Sequence, residues 1–278
     1  MANSPTVSWA PNAEDIVLWR ALGHRTPGFF VDVGACHPVD DSITKLFSLI
    51  GWRGINIEPQ PYLVDMLNAD RPLDINLGVG VSDTPGELEL FVVEEDQQRT
   101  TFSPTLAEGY RTQGRMVTTR SVPVMTLDQI LEQHPLPRID FLKIDAEGFE
   151  DQVVRGIDLQ RHRPAVILAE QGTHQQHFAF PGLLADAGYL PMVFDGVNRF
   201  FLAEEATDEV GDRLSYPACV LDRWVPRELH RLQQHIADME RSESWRIGNG
   251  LVRPFHVARN FVASRRAARN SGERADTT

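Results

Sequence analysis

Phe29-Phe30-Val31-Asp32-Val33-Gly34-Ala35-Cys36-His37 and Gly54-Ile55-Asn56-Ile57-Glu58-Pro59 are the two stretches that decide how this chain folds. The first is an apolar run closed by an acid and a glycine, the pattern of a buried parallel strand that enters a tight turn. Residues 41–50 read as a helix, and the second short apolar run ends at Glu58. Strand, turn, helix and strand make the smallest unit that builds a nucleotide crevice. Asp32 and Glu58 lie 26 positions apart, a suitable length for the crossover. An acid at the tip of the second strand is placed to accept hydrogen bonds from both hydroxyls of an adenosine ribose. The plainer role for Glu58 is a solvated strand end.

The glycines decide which nucleotide derivative fits. A dinucleotide fingerprint needs three of them, so that a pyrophosphate can rest on a helix N-terminus. Here Gly34 is followed by Ala35, Cys36, His37 and Pro38, with no second glycine. One glycine still allows close approach of a cofactor that has no phosphate, and Asp32 can answer a positive charge. S-adenosylmethionine has adenine, ribose, a sulfonium and an amino-acid end, and it suits this turn better than NAD does.

Together with Gly51-Trp52-Arg53, Val81-Ser82-Asp83 and Phe141-Leu142-Lys143-Ile144-Asp145-Ala146-Glu147-Gly148-Phe149-Glu150, these stretches resemble S-adenosylmethionine-dependent methyltransferases of the FkbM type. The resemblance runs from about residue 12 to about residue 202. It implies a class I methyltransferase, that is, a Rossmann-like, doubly wound α/β fold. Its sheet would be mostly parallel and seven-stranded, with helices on both faces. It also implies methylation of hydroxyl groups on sugars or natural products, and the chain is most similar to actinobacterial sugar O-methyltransferases of the methylmannose polysaccharide type. Cofactor contacts would come from Asp32, Gly34, Ala35, Glu58 and Pro59, with Ser82 and Asp83 reaching adenine. A Ser-Asp-Thr-Pro-Gly turn explains the last two residues almost as well. Where family members often carry Asn-x-Gly after Gly-Ala, this chain has Cys36-His37-Pro38, so its first turn is remodelled.

With 278 residues the chain can bury one large α/β core. Cys36 and Cys219 are its only cysteines, too few for a disulfide framework or a cysteine zinc site. Cys36 reads as a small filler in preference to a reactive thiol. No signal-peptide pattern opens the sequence and no apolar run reaches membrane-spanning length, so a cytoplasmic location is expected. Residues 1–240 hold 19 Lys and Arg against 36 Asp and Glu, a balance of −17, and residues 241–278 hold 8 against 3. An acidic body repels nucleic-acid phosphates and leaves a neutral carbohydrate or glycoconjugate as the expected acceptor.

The expected organisation is a disordered stretch over 1–11, a methyltransferase domain over 12–222, and a C-terminal helix and basic tail over 223–278. Asn12 reads as the cap of a first helix, with Glu14 and Asp15 complementing its dipole. Residues 75–81 read as a third strand. Residues 87–93 and 117–124 read as paired strands flanking a polar insertion over 94–116, either a solvated loop or a lid carrying Arg99, Tyr110 and Arg111. A helix follows over 126–133, then strands at 139–144 and 164–169 and a hairpin through Asp195-Gly196. In the tail, Leu229, Leu232, Ile236 and Met239 recur at helical spacing and could pack on the domain or on a second copy in a homodimer. Residues 241–278 mix arginines with Phe255, Val257, Phe261 and Val262, a pattern suited to weak contact with an anionic membrane surface.

Asp32, Glu58, Asp83, Asp145 and Glu170 all fall at expected C-terminal strand tips. Acids crowded on one rim raise one another's pKa unless something binds them. Asp145 and Glu170 end adjacent strands and could share a divalent ion such as Mg2+, with His174 as a third ligand. Such an ion would lower the pKa of an acceptor hydroxyl; otherwise Asp145, His174 or His37 would be the base. Glu147 is a further candidate beside the acceptor, although acids are common in a helix first turn. Lys143 is expected to face away from Asp145 and to pair with an acid under the sheet. Two other classes use the same topology: a nicotinamide-dependent oxidoreductase and a non-catalytic binding module.

Overall fold

Seven of the apolar runs become one sheet in the computed structural model, which describes residues 5–172 and 178–247, with only the backbone for Gln97. Its strands are β1 (Phe29–Val33), β2 (Arg53–Ile57), β3 (Ile75–Leu77), β4 (Phe141–Ile144), β5 (Val166–Glu170), β6 (Tyr189–Phe194) and β7 (Asn198–Ala203). Their spatial order is β3-β2-β1-β4-β5-β7-β6. All neighbours run parallel except β7, which is antiparallel to both β5 and β6. The order reverses at β1, so a crevice opens between the strands leaving β1 in opposite directions, outside their C-terminal ends.

Both faces are covered because the strands are apolar on both sides. On one face Val31, Ile55, Leu142 and Ile167 pack against helices α5 (Leu127–Gln133), α6 (Glu150–Arg155) and α7 (Phe180–Asp186). On the other, Phe30, Phe141, Leu168 and Phe200 meet α1 (Glu14–Leu22) and α2 (Lys45–Leu49). Helix α3 (Pro61–Asp70) buries Leu63 and Leu67, with proline at its first turn, where the missing N–H costs nothing. Thr126 and Gln129 form a reciprocal capping box at the start of α5.

The third strand is shorter than expected over 75–81. Ile75–Leu77 stays in the main sheet, and Gly80–Val81 crosses to a small sheet with Gly86–Val93 and Val117–Met125. The helix expected over 41–50 is confined to Lys45–Leu49. The preceding residues are held by Arg71, which binds the Pro38 carbonyl and the Ser42 and Thr44 hydroxyls. Insertion 94–116 folds into a short 3-10 turn (Gln97–Arg99) and helix α4 (Pro104–Thr112), capped by Ser103.

At the N-terminus the structure departs from the expected pattern. Residues 6–8, expected to be disordered, form a strand parallel to Trp224–Pro226. The first compact unit runs to Pro226. The reason lies in Glu14 and Asp15, which are buried rather than solvated at the helix end. Asp15 accepts from Ser8 Oγ and Trp9 N–H, both at 2.7 Å, and Glu14 accepts from Asn198 Nδ2 at 2.8 Å. Ala13, not Asn12, precedes α1 and takes a left-handed conformation, while the Asn12 N–H donates to Glu14.

The helices are completed by α8 (Thr207–Val210) and, in a second unit starting at Arg227, α9 (Arg227–Arg241). Leu229, Leu232, Ile236 and Met239 of α9 are exposed. His174, and the basic segment from residue 248 onwards, lie outside the described residues. No helix among the described residues is long and apolar enough to cross a membrane.

Candidate active site

A cavity of about 270 Å³ lies at the C-terminal ends of β1, β2 and β4. Its floor is the turn after β1. Gly34 has φ +72°, and a Cβ there would sit 1.8 Å from the Asp145 carbonyl oxygen. Glycine is thus required twice, for the left-handed backbone and for the close approach of two strand ends. The N–H groups of Gly34 and Ala35 both donate to the Ile57 carbonyl, which ties the turn to β2.

Glu58 stands at the tip of β2, buried, with Oε2 accepting from Cys36 N–H at 3.0 Å and Oε1 from Gln60 N–H at 2.9 Å. Burial pushes its carboxyl up to about 7, against the pull of those two N–H donors. The Gln60 side chain adds a third donor, which leaves a carboxylate of about four acceptor sites with room for a ligand hydroxyl. The Cys36 thiol is pushed up to about 12, first by burial and then by Glu58, which suits a filler and not a nucleophile.

A polar band crosses the sheet on the α2 face. Asn56 of β2, Asp32 of β1 and Lys143 of β4 are in register on neighbouring strands, and all are buried. Lys143 Nζ lies 3.2 Å from Asp32 Oδ1, 3.4 Å from Asp145 Oδ2 and 2.6 Å from the Gly34 carbonyl oxygen. Lys143 therefore faces the same way as Asp145, correcting the opposite expectation. Positions i and i+2 share one face of a strand, and Asp145 follows β4 two residues on. Burial works against the lysine's charge, but Asp32 and Asp145 outweigh it and hold its pKa above the ordinary value.

Beyond Asp145 the chain makes a strained turn. Glu147 has φ +48° and Gly148 φ +87°; left-handed glutamate is uncommon and marks a conformation enforced by its surroundings. Glu150 Oε1 accepts from the Ala146 and Gly148 N–H groups, and the Thr101 hydroxyl donates to the Glu147 carbonyl at 2.6 Å. The turn brings carboxylate oxygens of Asp145, Glu147 and Glu170 within 4.8 Å of one another. Glu147 and Glu170 are both driven well above the ordinary carboxylate range, chiefly by burial and then by the neighbouring acids. Glu150 is pushed up to about 7, mainly by burial.

Of the residues expected at the site, Asp32, Gly34, Ala35, Glu58, Pro59, Asp145 and Glu147 line the cavity. Glu170 joins the acid cluster instead of the cavity wall. Ser82 and Asp83 are not in the wall, whose place there is taken by Val79, Gly80 and Val81. The chain leaves the main sheet before Ser82, whose N–H pairs with Met125. His37 is outside the cavity as well. Its Nδ1 accepts from the Val39 and Asp40 N–H groups at 3.2 and 2.8 Å, so that nitrogen is engaged in holding a turn and is not available as a base. Of the residues expected to hold a metal, Asp145 and Glu170 lie together with Glu147 in a group that could hold an ion, and His174 lies outside the described residues.

The insertion contributes more than its polarity indicates. Gln98, Thr100 and Phe102 line the cavity, while Arg99 interacts with Tyr110 and, at longer range, with Glu147. Arg111 points elsewhere, to Glu108 and over the Phe91 ring. No local pattern marks the three lining residues, because they reach the cavity only when the small sheet folds back on the main one.

Comparison with known proteins gives the following. Residues 32–199 match the family model described as the methyltransferase FkbM domain. Curated proteins give no match. Among solved structures, the crystal structure of methyltransferase FkbM from Methylobacillus flagellatus KT is similar, with 16% sequence identity and a TM-score of 0.39. The aligned part covers 63% of this chain and 43% of that one, so this chain spans less than half of that protein's length.

Proposed function

The chain belongs to the FkbM methyltransferase family, and from that premise we propose that it transfers a methyl group from S-adenosylmethionine to a hydroxyl oxygen of a sugar or glycoconjugate, on a class I methyltransferase fold. The observation that carries this reading is the cavity at the β1/β2/β4 ends. It sets Glu58, Asp32, Asp145 and Glu147 around one close-approach glycine.

The residues suit this cofactor. Six carboxyl side chains and one lysine line the cavity around the Gly34 turn, a charge balance that disfavours a phosphate and favours a sulfonium or an ammonium. Glu58 retains acceptor capacity for ribose hydroxyls, and Val79 and Val81 offer apolar wall. Bound S-adenosylmethionine supplies a methyl carbon made electrophilic by the adjacent sulfonium.

The acceptor hydroxyl is a weak nucleophile, and its proton must leave as the oxygen attacks. Asp145 lines the cavity and is 39% exposed at its side chain, the exposure needed to meet a second substrate. Lys143 fixes its carboxylate from below. Glu147 and Glu170 stand beside it, and Arg99 of the insertion, which interacts with Tyr110, acts on Glu147 at longer range. Three carboxylates with oxygen donors alone suit Mg2+. The cost of ionising Glu147 and Glu170 in this setting is the cost a divalent cation would remove, and the cation would also lower the acceptor's pKa.

Calorimetric titration with S-adenosylhomocysteine, and transfer of labelled methyl from S-adenosylmethionine to a panel of sugars with EDTA or Mg2+, tests the proposal. Micromolar binding with Mg2+-dependent labelling of a hydroxyl supports it. Binding of NADH in place of S-adenosylhomocysteine would overturn it.

A further inference from the structure

Arg71 is buried in full, yet lines neither the cavity nor the acid cluster. Its Nη1 donates to Thr44 Oγ1 at 2.6 Å and to Asn56 Oδ1 at 3.0 Å. Its Nη2 donates to the Pro38 carbonyl and to Ser42 Oγ, both at 2.7 Å. Burying a guanidinium is expensive unless its donors are satisfied, and here four acceptors drawn from one loop and one strand meet Nη1 and Nη2, while Nε lies 3.6 Å from Asp70 Oδ2. The loop is the segment after β1 whose Asp40, Asp41, Ser42 and Ile43 form a wall of the cavity.

Thr44 then passes the contact on. Its hydroxyl accepts from Arg71 and donates to Asp32 Oδ2 at 2.7 Å, and it has one proton to give, so the direction is fixed. Asp32 Oδ1 faces Lys143, whose ammonium also faces Asp145. Hydrogen bonds join Arg71, Thr44 and Asp32, and two ion pairs of Lys143 extend the series to Asp145. It runs from behind the cofactor cavity to the residue that faces the acceptor. In a low-dielectric interior such a chain orients each member more firmly than separate pairs would.

Resting on the methyl-transfer reading, we propose that Arg71 and Thr44 are positioning residues for the methyl donor: through Thr44 they orient the Asp32 carboxylate towards the charged amino-acid end of the cofactor. The Thr44 hydroxyl is the only link of Arg71 to Asp32 among the hydrogen bonds of the described residues. Its removal frees Asp32 to turn to Lys143, leaving the adenosine side of the site, built on Glu58, as it was.

Three variants of the full chain test this: Thr44→Val, which keeps the side chain's shape, Thr44→Ser, which restores the hydroxyl, and Arg71→Lys. Each is titrated with S-adenosylhomocysteine and with 5′-methylthioadenosine, which keeps adenine and ribose but lacks the amino-acid arm. Thr44→Val should bind S-adenosylhomocysteine about tenfold more weakly, the scale of one hydrogen bond to a charged group, and 5′-methylthioadenosine as wild type does. Thr44→Ser should recover the affinity, and Arg71→Lys should show the same ligand selectivity as Thr44→Val. Equal losses for both ligands would mean a merely structural role and overturn the proposal, as would wild-type affinity in Thr44→Val. Failure of the wild-type chain to bind either ligand would instead overturn the methyl-transfer reading.

Discussion

Lys143 and Asp145 stand two residues apart at the end of β4, with Nζ 3.4 Å from Oδ2, and the same ammonium lies 3.2 Å from Asp32. One buried cation therefore serves two acids of the cavity wall. Lys143→Met would leave both carboxylates without it. Breaking a buried pair by removing one partner costs roughly 3–5 kcal/mol, and a loss on that scale is expected in urea unfolding. A loss below about 1 kcal/mol, within the range of exposed pairs, would show that water already serves these acids.

Glu58→Ala should weaken S-adenosylhomocysteine binding by roughly 1.5–3 kcal/mol, the range for hydrogen bonds to a charged group. Glu58→Gln should lose less, since one oxygen acceptor remains. Calorimetry on folded variants checks both, and an unchanged affinity in Glu58→Ala would remove Glu58 from the cofactor site.

The pH dependence of stability has a definite sign. Burial pushes Glu14, Glu58 and Glu150 up to about 7 from an ordinary 4.5, and Glu147 and Glu170 lie higher still. Between the unfolded and folded values the native chain holds protons that the unfolded chain has released, so stability falls as pH rises through that window. Glu205 and Glu209, paired with Arg163 and Arg25, act oppositely, losing their contribution as pH falls below about 4.5, and surface screening makes it small. The melting temperature should drop steadily from about pH 6 to about pH 9. A flat profile over that interval would contradict the burial of these acids.

Glu170→Gln and Glu147→Gln separate the two uses of the acid cluster. Each should raise the melting temperature at alkaline pH, because a carboxyl that is costly to ionise has been removed. Each should also abolish any rise in melting temperature produced by millimolar Mg2+ in the wild type, since binding to the native state alone stabilises it. If Mg2+ stabilises the variants as much as the wild type, the cluster is not where the ion binds.

Gly34→Ala should be strongly destabilising and should abolish ligand binding. The new methyl would meet the Asp145 carbonyl at 1.8 Å on a left-handed backbone, a conformation that alone costs about 1–3 kcal/mol. Thermal unfolding checks this, and a wild-type melting temperature would mean that the two strand ends are free to part.

The sequence by itself determined the sheet and the Gly34 and Glu58 side of the cavity. Apolar runs of strand length, each broken by one polar residue near its end, give β1, β2 and β4 with Asp32, Asn56 and Lys143 in them. A parallel sheet then sets those residues side by side, because register and the two-residue period are local properties. Glu58 and Gly34 were legible for the same reason, since a strand tip and a glycine turn are set within a few residues. Tertiary structure decided what those polar residues touch. The Lys143 bridge depends on side-chain direction where two strands end together. The burial of Glu14 and Asp15 depends on Asn198 and on a strand pair formed with Trp224–Pro226. Glu147 enters the acid cluster through a left-handed turn braced by Thr101 and Glu150. Arg71 looks like any surface arginine in the sequence, and only its four acceptors, gathered from residues 15 to 33 positions away, join it to the loop behind the cavity. Contacts of that kind are made by chain closure over long loops, and no local pattern of residue types encodes them.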